Sequence, residues 1–580
     1  MPSHQISIKH FFTAKPLNYF ARIGLGIIDK LLGISYLNKL YQANQFNGLS
    51  AHAFTDKFIH VFKLSAVVSG FDLTALPKNK PIVVVANHPF GGVEGVVLAN
   101  LMAQVRPDVK ILANVGLSIF PELAPYFIYT NPLKTGAKGN FESLKRCRKH
   151  LENKGLLVIF PAGRVSYHRN EFKGIADHDW HRSLQFLAKV EGVQLLPLHI
   201  AGQNRPLFYQ LGRVYFRFRL LMLIREMIAS KGRNIPMTFA KKLVTPYTEK
   251  NDQQNTDLTR LLTYLQDPKL QLNWPKIDSV TLQPLATFVE PALLLAEVQS
   301  LPEEQQLAKH KQFVVYYAQY DQIPHILQEI RIRREEAFRL YDEGSGHPQD
   351  GDERDKTYTH LFVFDREVSK LVGAYRMGQT DILREQGGNQ ALYLAQMFNF
   401  NADFINQQQP CLEMGRSFVV PDYQKSYHSL LLLFKGIARF IARFPRYQTL
   451  YGTVSLTTQY SPLSVYLIQR FLVKPTDAAL PKLAFEHAHS QEVSHYLSQY
   501  PADINELEWL VKQIEPDGKG LPVLLKQYHQ LGAQFYCLGI DPNFAQTPGL
   551  LLSVHLPTAP KRFLKLYLGD ELERYLARQF

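Results

Sequence analysis

The stretch PIVVVA (81–86) is a continuous β-branched run, the pattern of a strand covered on both faces. The same short buried signal recurs at KILANV (110–115), GLLVIF (155–160) and VQLLPLHI (193–200). Helical spacing runs through VEGVVLANLMAQV (93–105), and the intervals between strand signals are long enough for crossover helices. VYFRFRL (214–220) alternates like a half-exposed strand. Near the start, residues 19–36 place Ile23, Ile27, Ile28, Leu31 and Leu32 near helical spacing, weakened by three glycines. That segment reads as a helix packed on its own domain, with an interfacial helix as the alternative.

Residues 245–310 change character, with polar runs and scattered prolines, and place a boundary near 280. Beyond it the pattern starts again. A charged helix is predicted over 323–340, a Gly/Asp-rich loop over 344–355, and strands at THLFVFD (359–365), KLVGAYRM (370–377) and CLEMGRSFVV (411–420). A strong helix follows at 429–444 and a further strand at TLYGTVSL (449–456). The chain therefore reads as two α/β domains, 1–280 and 281–580.

At 580 residues, 46% hydrophobic and 20% charged, the chain is too apolar to be disordered and long enough for more than one core. The net charge of +14 is uneven: residues 1–280 carry 36 Lys+Arg against 18 Asp+Glu, or +18, and the remainder 29 against 33, or −4. The two halves are expected to meet different partners, at least one of them acidic. Cys147, Cys411 and Cys537 lie too far apart for a CxxC knuckle and read as reduced, buried thiols of a cytoplasmic protein. The first residues lack the apolar core of a signal peptide, and no apolar run of 18 residues exists to span a membrane. Asp177-His178-Asp179-Trp180-His181 could attract a metal, but no third ligand is spaced to complete a site, and none is expected. Neither a phosphate-binding loop nor a nucleic-acid module is present.

Candidate chemistry gathers first at three strand ends. Asn87-His88-Pro89-Phe90-Gly91-Gly92-Val93-Glu94 leaves one strand and opens a helix, where open α/β sheets place ligands. The glycines let Glu94 fold back onto one imidazole nitrogen of His88, so that the other can take a proton from a hydroxyl. Phe160-Pro161-Ala162-Gly163-Arg164-Val165-Ser166 follows a second strand and sets Arg164 and Ser166 where an anionic group can be gripped. Leu196-Pro197-Leu198-His199-Ile200-Ala201-Gly202, with Arg205 just beyond, ends a third. In this order and spacing the blocks resemble the glycerolipid (lysophospholipid) O-acyltransferase family over roughly 55–245. That family pairs a His with an acid five positions on and carries FPEG-x-x-S. Here Glu94 is six positions after His88 and Ala162 stands in place of Glu, as in the hemolysin-like branch with its HPxGG-x-(D/E) motif. The resemblance implies a His88–Glu94 general base acting on a hydroxyl.

In the second half, Arg334 and Phe338 precede Asp352 and Asp355, then Gly373 and Arg376, then Glu413 and Arg416. A structural ion-pair network is the plain alternative for these charges. The order R-x-x-x-F, D-x-x-D, G-x-x-R, E-x-x-R is similar to the autoinducer-synthase and ornithine N-acyltransferase branch of the GNAT-like acyltransferases, over about 320–570. The implied reaction moves a fatty acyl group from a carrier thioester to an amine. Glu413 is the first candidate to assist deprotonation, with Asp352 and Asp355 as rivals or as ammonium ligands. Arg376 and Arg416 could hold the amino-acid carboxylate, the phosphopantetheine or the acidic network. Backbone N–H groups near 413–420 would hold the thioester oxygen. Lys435, Arg439 and Arg443, spaced every four residues, form a basic stripe for docking an acidic acyl carrier protein.

Together the two resemblances imply a bifunctional ornithine-lipid synthase. The C-terminal domain would acylate ornithine with a 3-hydroxyacyl group from acyl carrier protein, and the N-terminal domain would acylate the 3-hydroxyl of that lyso-aminolipid. Arg164 would then face the lipid carboxylate. No bound cofactor, metal or nucleic acid is expected. The place implied is the inner face of a bacterial cytoplasmic membrane, peripherally, with the +18 half drawn to anionic lipid. A glycerolipid or glycine-lipid acyltransferase with one active domain, or a non-catalytic membrane-associated protein, are the alternatives.

Overall fold

The computed structural model describes residues 5–7, 19–131, 138–214, 216–270, 281–474, 476–484 and 491–577. They form two units: Met1–Gln271 together with Ala488–Lys519, and Leu272–His487 together with Gly520–Phe580. The second half of the chain thus contributes one excursion to the first unit. Within that unit the excursion is held by Lys250 Nζ at 2.6 Å from Asp503 Oδ2 and by Trp509 Nε1 donating to the Thr245 carbonyl at 3.1 Å.

Apolar, β-branched runs are stable as strands only where both faces are covered, and the first unit supplies that cover. Its strands are β1 (Ser65–Ser69), β2 (Ile82–Ala86), β3 (Lys110–Asn114), β4 (Phe127–Thr130), β5 (Leu156–Ile159), the small hairpin β6 (Tyr167–Arg169) and β7 (Gly174–Ala176), β8 (Gln194–Ile200) and β9 (Asn234–Phe239). The seven-stranded sheet runs β1-β9-β8-β2-β5-β3-β4. Its pairs are parallel except β8 with β9. Every residue of β2 is buried, and β2 lies between β5 and β8. Parallel direction then brings the three strand-end blocks out on one edge. After β2 comes α1 (Val93–Val105), apolar on nearly all sides because it is covered on nearly all sides.

The segment 214–220 is not a strand. Helices α2 (Pro206–Val214) and α3 (Phe216–Ala229) occupy it. The alternation is too short to set the period, whereas the longer stretch buries Met222 and, four residues on, Glu226, with Met227 beside it. The N-terminal segment forms the helices Tyr19–Leu31 and Ile34–Ala43. The second buries Ile34, Leu37 and Tyr41. The first leaves Ile27, Ile28 and Leu31 outward, 56%, 40% and 64% exposed, while Leu32 packs on the core, so only part of the row is packed on its own unit as the sequence reading had it. Ile23 lies outside the described side chains. No helix among the described residues is long and apolar enough to cross a membrane.

The second unit is built on eight strands: β10 (Gln306–His310), β11 (Phe313–Ala318), β12 (Thr359–Asp365), β13 (Lys370–Gln379), β15 (Cys411–Val419), β16 (Thr449–Ser455), β18 (Gln534–Asp541) and β19 (Thr547–His555). The short β14 (Phe398–Phe400) and β17 (Ala479–Pro481) form a separate pair. The order is β10-β11-β12-β13-β15-β16-β19-β18, antiparallel except for β15 with β16. Helix α4 (Pro324–Arg339) precedes β12, and α5 (Tyr427–Arg443) connects β15 to β16 as the crossover a parallel pair needs. Phe434, Ile437 and Ile441 of α5 are buried and Leu430 is partly so, as the sequence pattern predicts.

Candidate active sites

In the first unit the turn after β2 is organised around Glu94. Its side chain is fully buried and accepts from the backbone N–H groups of Phe90 (2.9 Å), Gly91 (2.8 Å) and Gly92 (3.2 Å). Gly91 has φ +103, and a Cβ there would lie 2.6 Å from both Leu223 and Val165, so the turn requires glycine. His88 Nδ1 stands 3.0 Å from Glu94 Oε1. Burial alone would raise the Glu94 pKa; the His88 charge and hydrogen bond and the Gly91 N–H outweigh it and hold the group below its ordinary value. The carboxylate therefore stays charged while out of water. It fixes the ring and leaves Nε2 for the groove that His88 lines. The ring also packs on Phe160, centroids 4.4 Å apart.

Ser166 anchors this turn. Its N–H donates to the His88 carbonyl at 2.9 Å, and its hydroxyl donates to Asp177 Oδ1 at 2.5 Å while lying 3.1 Å from that same carbonyl. Asp177 also accepts from the His88 N–H (3.3 Å) and the Trp180 indole (3.1 Å). Asp177, part of the stretch that the sequence reading weighed for a metal and set aside, holds the loop that carries His88. Among the described residues no cluster of three or more His, Cys, Asp or Glu is arranged for a metal. Asn87 ties β2 to β8, donating to the Ile200 carbonyl at 2.9 Å and accepting from its N–H at 2.7 Å.

The groove beside His88 is lined by Gly91, Phe160, Arg164, Arg219 and Leu223 among others. Arg164 is exposed. Arg219, on α3, lies with its guanidinium 4.3 Å from the Tyr167 ring centroid, and burial, with Arg164 adding to it, lowers its hold on its proton. Among the described residues neither arginine has an acidic side chain within 4 Å. Two guanidiniums without an acidic partner thus stand beside the His88 imidazole in one groove, an arrangement with the chemistry to bind an anion. The sequence reading found Arg164 and missed Arg219, because it placed Arg219 on a strand. Arg205 is held by Glu226 at 3.0 Å.

In the second unit β15 and β16 pair from Cys411↔Thr449 to Met414↔Gly452 and then part, although β15 continues to Val419 and β16 to Ser455. A Cβ on Gly452 would sit 2.6 Å from the Met414 carbonyl, so the close approach at the fork requires glycine. On its other side β15 bulges against β13, with Arg376↔Gly415 followed by Ala374↔Phe418. Arg416, at φ +53, is in the bulge. Beyond Met414 the edge of β15 that faces β16 is no longer paired, and on this stretch the sequence reading placed the thioester oxygen.

The charged residues predicted from sequence converge here. Arg376, 2% exposed, binds Asp352 Oδ1 (2.5 Å) and Asp355 Oδ1 (2.9 Å). Asp355 is fully buried and also binds Arg331 (2.8 Å) and Arg334 (3.4 Å); burial would raise its pKa, but Arg334 and Arg376 hold it well below the carboxylate range. Arg416 reaches Asp350 at 3.3 Å and lies between the rings of Tyr393 and Phe544, 4.8 and 4.6 Å from their centroids. Tyr393 also lies under Arg376 and donates to Asp541 at 2.7 Å. Glu413 is buried, accepting from the Leu394 N–H (3.0 Å) and the Tyr451 hydroxyl (2.9 Å), and burial raises its pKa. Lys435 is half-buried and Arg443 exposed on α5; Arg439 is tied to Glu571 (3.5 Å) and the Leu307 carbonyl (3.4 Å). Asp350 was not among the sequence candidates, since its spacing from Asp352 and Asp355 gave no separate signal.

Residues 38–266 match the family profile described as acyltransferase, and residues 333–434 that of the acetyltransferase (GNAT) domain. The chain is an acyltransferase of mixed α/β architecture, with an N-terminal acyltransferase-like domain and a C-terminal GNAT-like domain. It is similar to the glycine N(alpha)-acyltransferase of Phocaeicola vulgatus, 25% identical over 267 residues that cover 43% of this chain and 82% of the relative. It is also similar to the lyso-glycine lipid O-acyltransferase of the same organism, 28% identical over 187 residues, covering 31% of this chain and 65% of the relative. Among solved structures, the 1-acyl-sn-glycerophosphate acyltransferase of Thermotoga maritima is 16% identical, with 39% of this chain and 80% of that one covered and a TM-score of 0.25.

Proposed function

We propose that the chain makes an amino-acid lipid in two steps, each in its own unit. In the first, the neutral α-amine of ornithine attacks a 3-hydroxyacyl thioester carried by acyl carrier protein, in the cleft between β15 and β16. In the second, His88 Nε2 takes the proton of the new chain's 3-hydroxyl while that oxygen attacks a second acyl thioester, and Glu94 stabilises the imidazolium. The observation that carries this reading is the pairing in one chain of a hydroxyl-activating dyad with a GNAT-type cleft, since the product of the cleft supplies the hydroxyl the dyad needs. Arg164, with Arg219, faces the carboxylate of the lyso-lipid. Ser166 positions His88 through Asp177. Asp352, Asp355, Arg376 and Glu413 set the floor of the cleft, and Arg416 orients the amino-acid carboxylate. Acyl carrier protein docks on the α5 stripe, and neither step uses a bound cofactor. The exposed Ile27, Ile28 and Leu31 and the +18 charge of residues 1–280 support attachment to an anionic inner-membrane surface from the cytoplasmic side.

Glycine as the amino acid is the second reading, favoured by the names of both relatives. Expression in a host without aminolipids, fed labelled ornithine or labelled glycine, separates the two. The expected result is a ninhydrin-positive diacyl lipid carrying the ornithine label, replaced by its monoacyl form in His88→Ala. Glycine label in the product transfers the scheme to glycine, and no labelled lipid from either amino acid rejects it.

A further inference from the structure

Between the end of α4 and the open part of the cleft stands a carboxylate that none of the motifs includes. Glu343 follows Asp342, whose φ of +58 turns the chain back so that the Glu343 N–H reaches the Phe338 carbonyl at 3.0 Å. The side chain is 5% exposed; the carboxyl hydrogen-bonds Ser455, and its Oε1 has no hydrogen-bond partner among the described residues. The groups that face it come from both sides of the fork: Ser455 at the end of β16, and Arg416 from the bulge of β15; Asp342 opposes them from its own turn. Behind Arg416 lie Asp350 and Asp541. A buried carboxylate with an unused oxygen costs free energy unless something completes it. Glu413, in contrast, has both oxygens occupied.

Resting on the two-step reading above, we propose that Glu343 is the proton acceptor of N-acylation. The neutral amine forms its bond to the thioester carbon. Glu343 takes the proton the nitrogen must shed and returns it to the departing sulfur as the C–S bond breaks, so that amine and thioester become amide and thiol. When the amino acid arrives as its ammonium form, one further proton goes to solvent. Burial pushes the Glu343 carboxyl up to about 7, where a group both accepts and releases a proton near neutral pH.

The test uses the full chain with 3-hydroxyacyl-acyl carrier protein, reading N-acyl product and thiol release across pH 5.5–9. Glu343→Gln is expected to lower kcat about 100-fold, a typical loss for a proton-transfer group. It should leave KM for the amino acid within about threefold and erase an inflection near pH 7 that wild type shows. O-acylation of added lyso-lipid by the same preparation should be unchanged and reports an intact chain. Wild-type product with Glu343→Gln within threefold, or a rise in KM alone with the inflection kept, overturns the inference and leaves the two-step reading standing. No N-acyl product from wild type overturns both. If Glu343→Gln loses O-acylation as well, Glu343→Asp decides: a displaced inflection supports the role, an unmoved one ends it.

Discussion

Glu94 and Glu413 are both removed from water, 0% and 2% exposed, yet their proton affinities move in opposite directions. Around Glu94 three backbone N–H groups and His88 converge, and no other acid competes for them. Around Glu413 there are one N–H and the hydroxyls of Tyr451 and Tyr358, and the cation acting on it, Arg376, is already bound by Asp352 and Asp355. Burial penalises both charges; what differs is that Glu94 has His88 in direct contact, whereas the cation acting on Glu413 is neutralised by two other carboxylates. The first is thereby a fixed negative charge able to support an imidazolium. The second is a group drawn toward its protonated form, bracing Leu394 against Tyr451. Motif spacing alone gives both the same status of candidate acid or base.

The sharpest way to break this contrast is a matched pair of isosteric substitutions. Glu94→Gln removes the charge opposite His88 and leaves an amide nitrogen facing backbone donors. O-acylation is expected to fall about 100- to 1,000-fold, within the span typical of general-base catalysis, while N-acylation holds. Glu413→Gln can keep both its contacts when its amide oxygen accepts from the Leu394 N–H and its NH2 donates to the Tyr451 hydroxyl, which turns to accept. N-acylation should then drop less than about tenfold, a positioning effect well short of a lost general base. Equal losses in the two variants would erase the distinction.

A smaller effect is carried by stability. Glu94 has its folded pKa depressed, so its contribution is present above the unfolded carboxylate value and is lost as pH falls through the folded value. Glu413 has its folded pKa raised, so its contribution is present below the unfolded value and is lost as pH rises toward the folded one. Thermal melting from pH 4 to 9 should therefore show Glu94→Gln losing most relative to wild type at neutral pH and least in acid. Glu413→Gln should improve relative to wild type as pH rises. Parallel curves for the two variants would contradict the assignment of their charge states.

The sequence exposed the elements whose environment is uniform. β2, β5 and β8 are buried on both faces, so their runs are continuous, and α5 has one buried face, so its spacing is regular. The His88 block and the Arg164–Ser166 block were legible because each ends such a strand, and the adjacency of β2 and β5 then places them side by side. What stayed hidden depends on distant contacts. Arg219 enters the groove only because 216–229 is helical, Asp177 reaches His88 across 89 residues, and the 488–519 excursion enters the first unit with no compositional sign. Glu343 gave no signal at all, since an orphaned oxygen is a property of surroundings that only the fold assembles.

The weakest expected effect tests the difference in charge between the two halves. In the proposed scheme the +18 half meets a membrane and the −4 half has only local charge to draw an acidic carrier, for which α5 is the proposed surface. Arg439 already serves Glu571 and Leu307, so Lys435 and Arg443 are the stripe residues left to act. Lys435→Glu with Arg443→Glu should raise the apparent KM for acyl carrier protein about three- to tenfold, the scale of long-range steering by a few rim charges. KM for the amino acid should stay the same, since that substrate is small and enters elsewhere. Because such steering is screened within about 8 Å at physiological ionic strength, the penalty should shrink as salt rises. A penalty that persists undiminished in high salt would mean that the substitutions disturb α5 itself, and an unchanged KM would remove the stripe from carrier recognition.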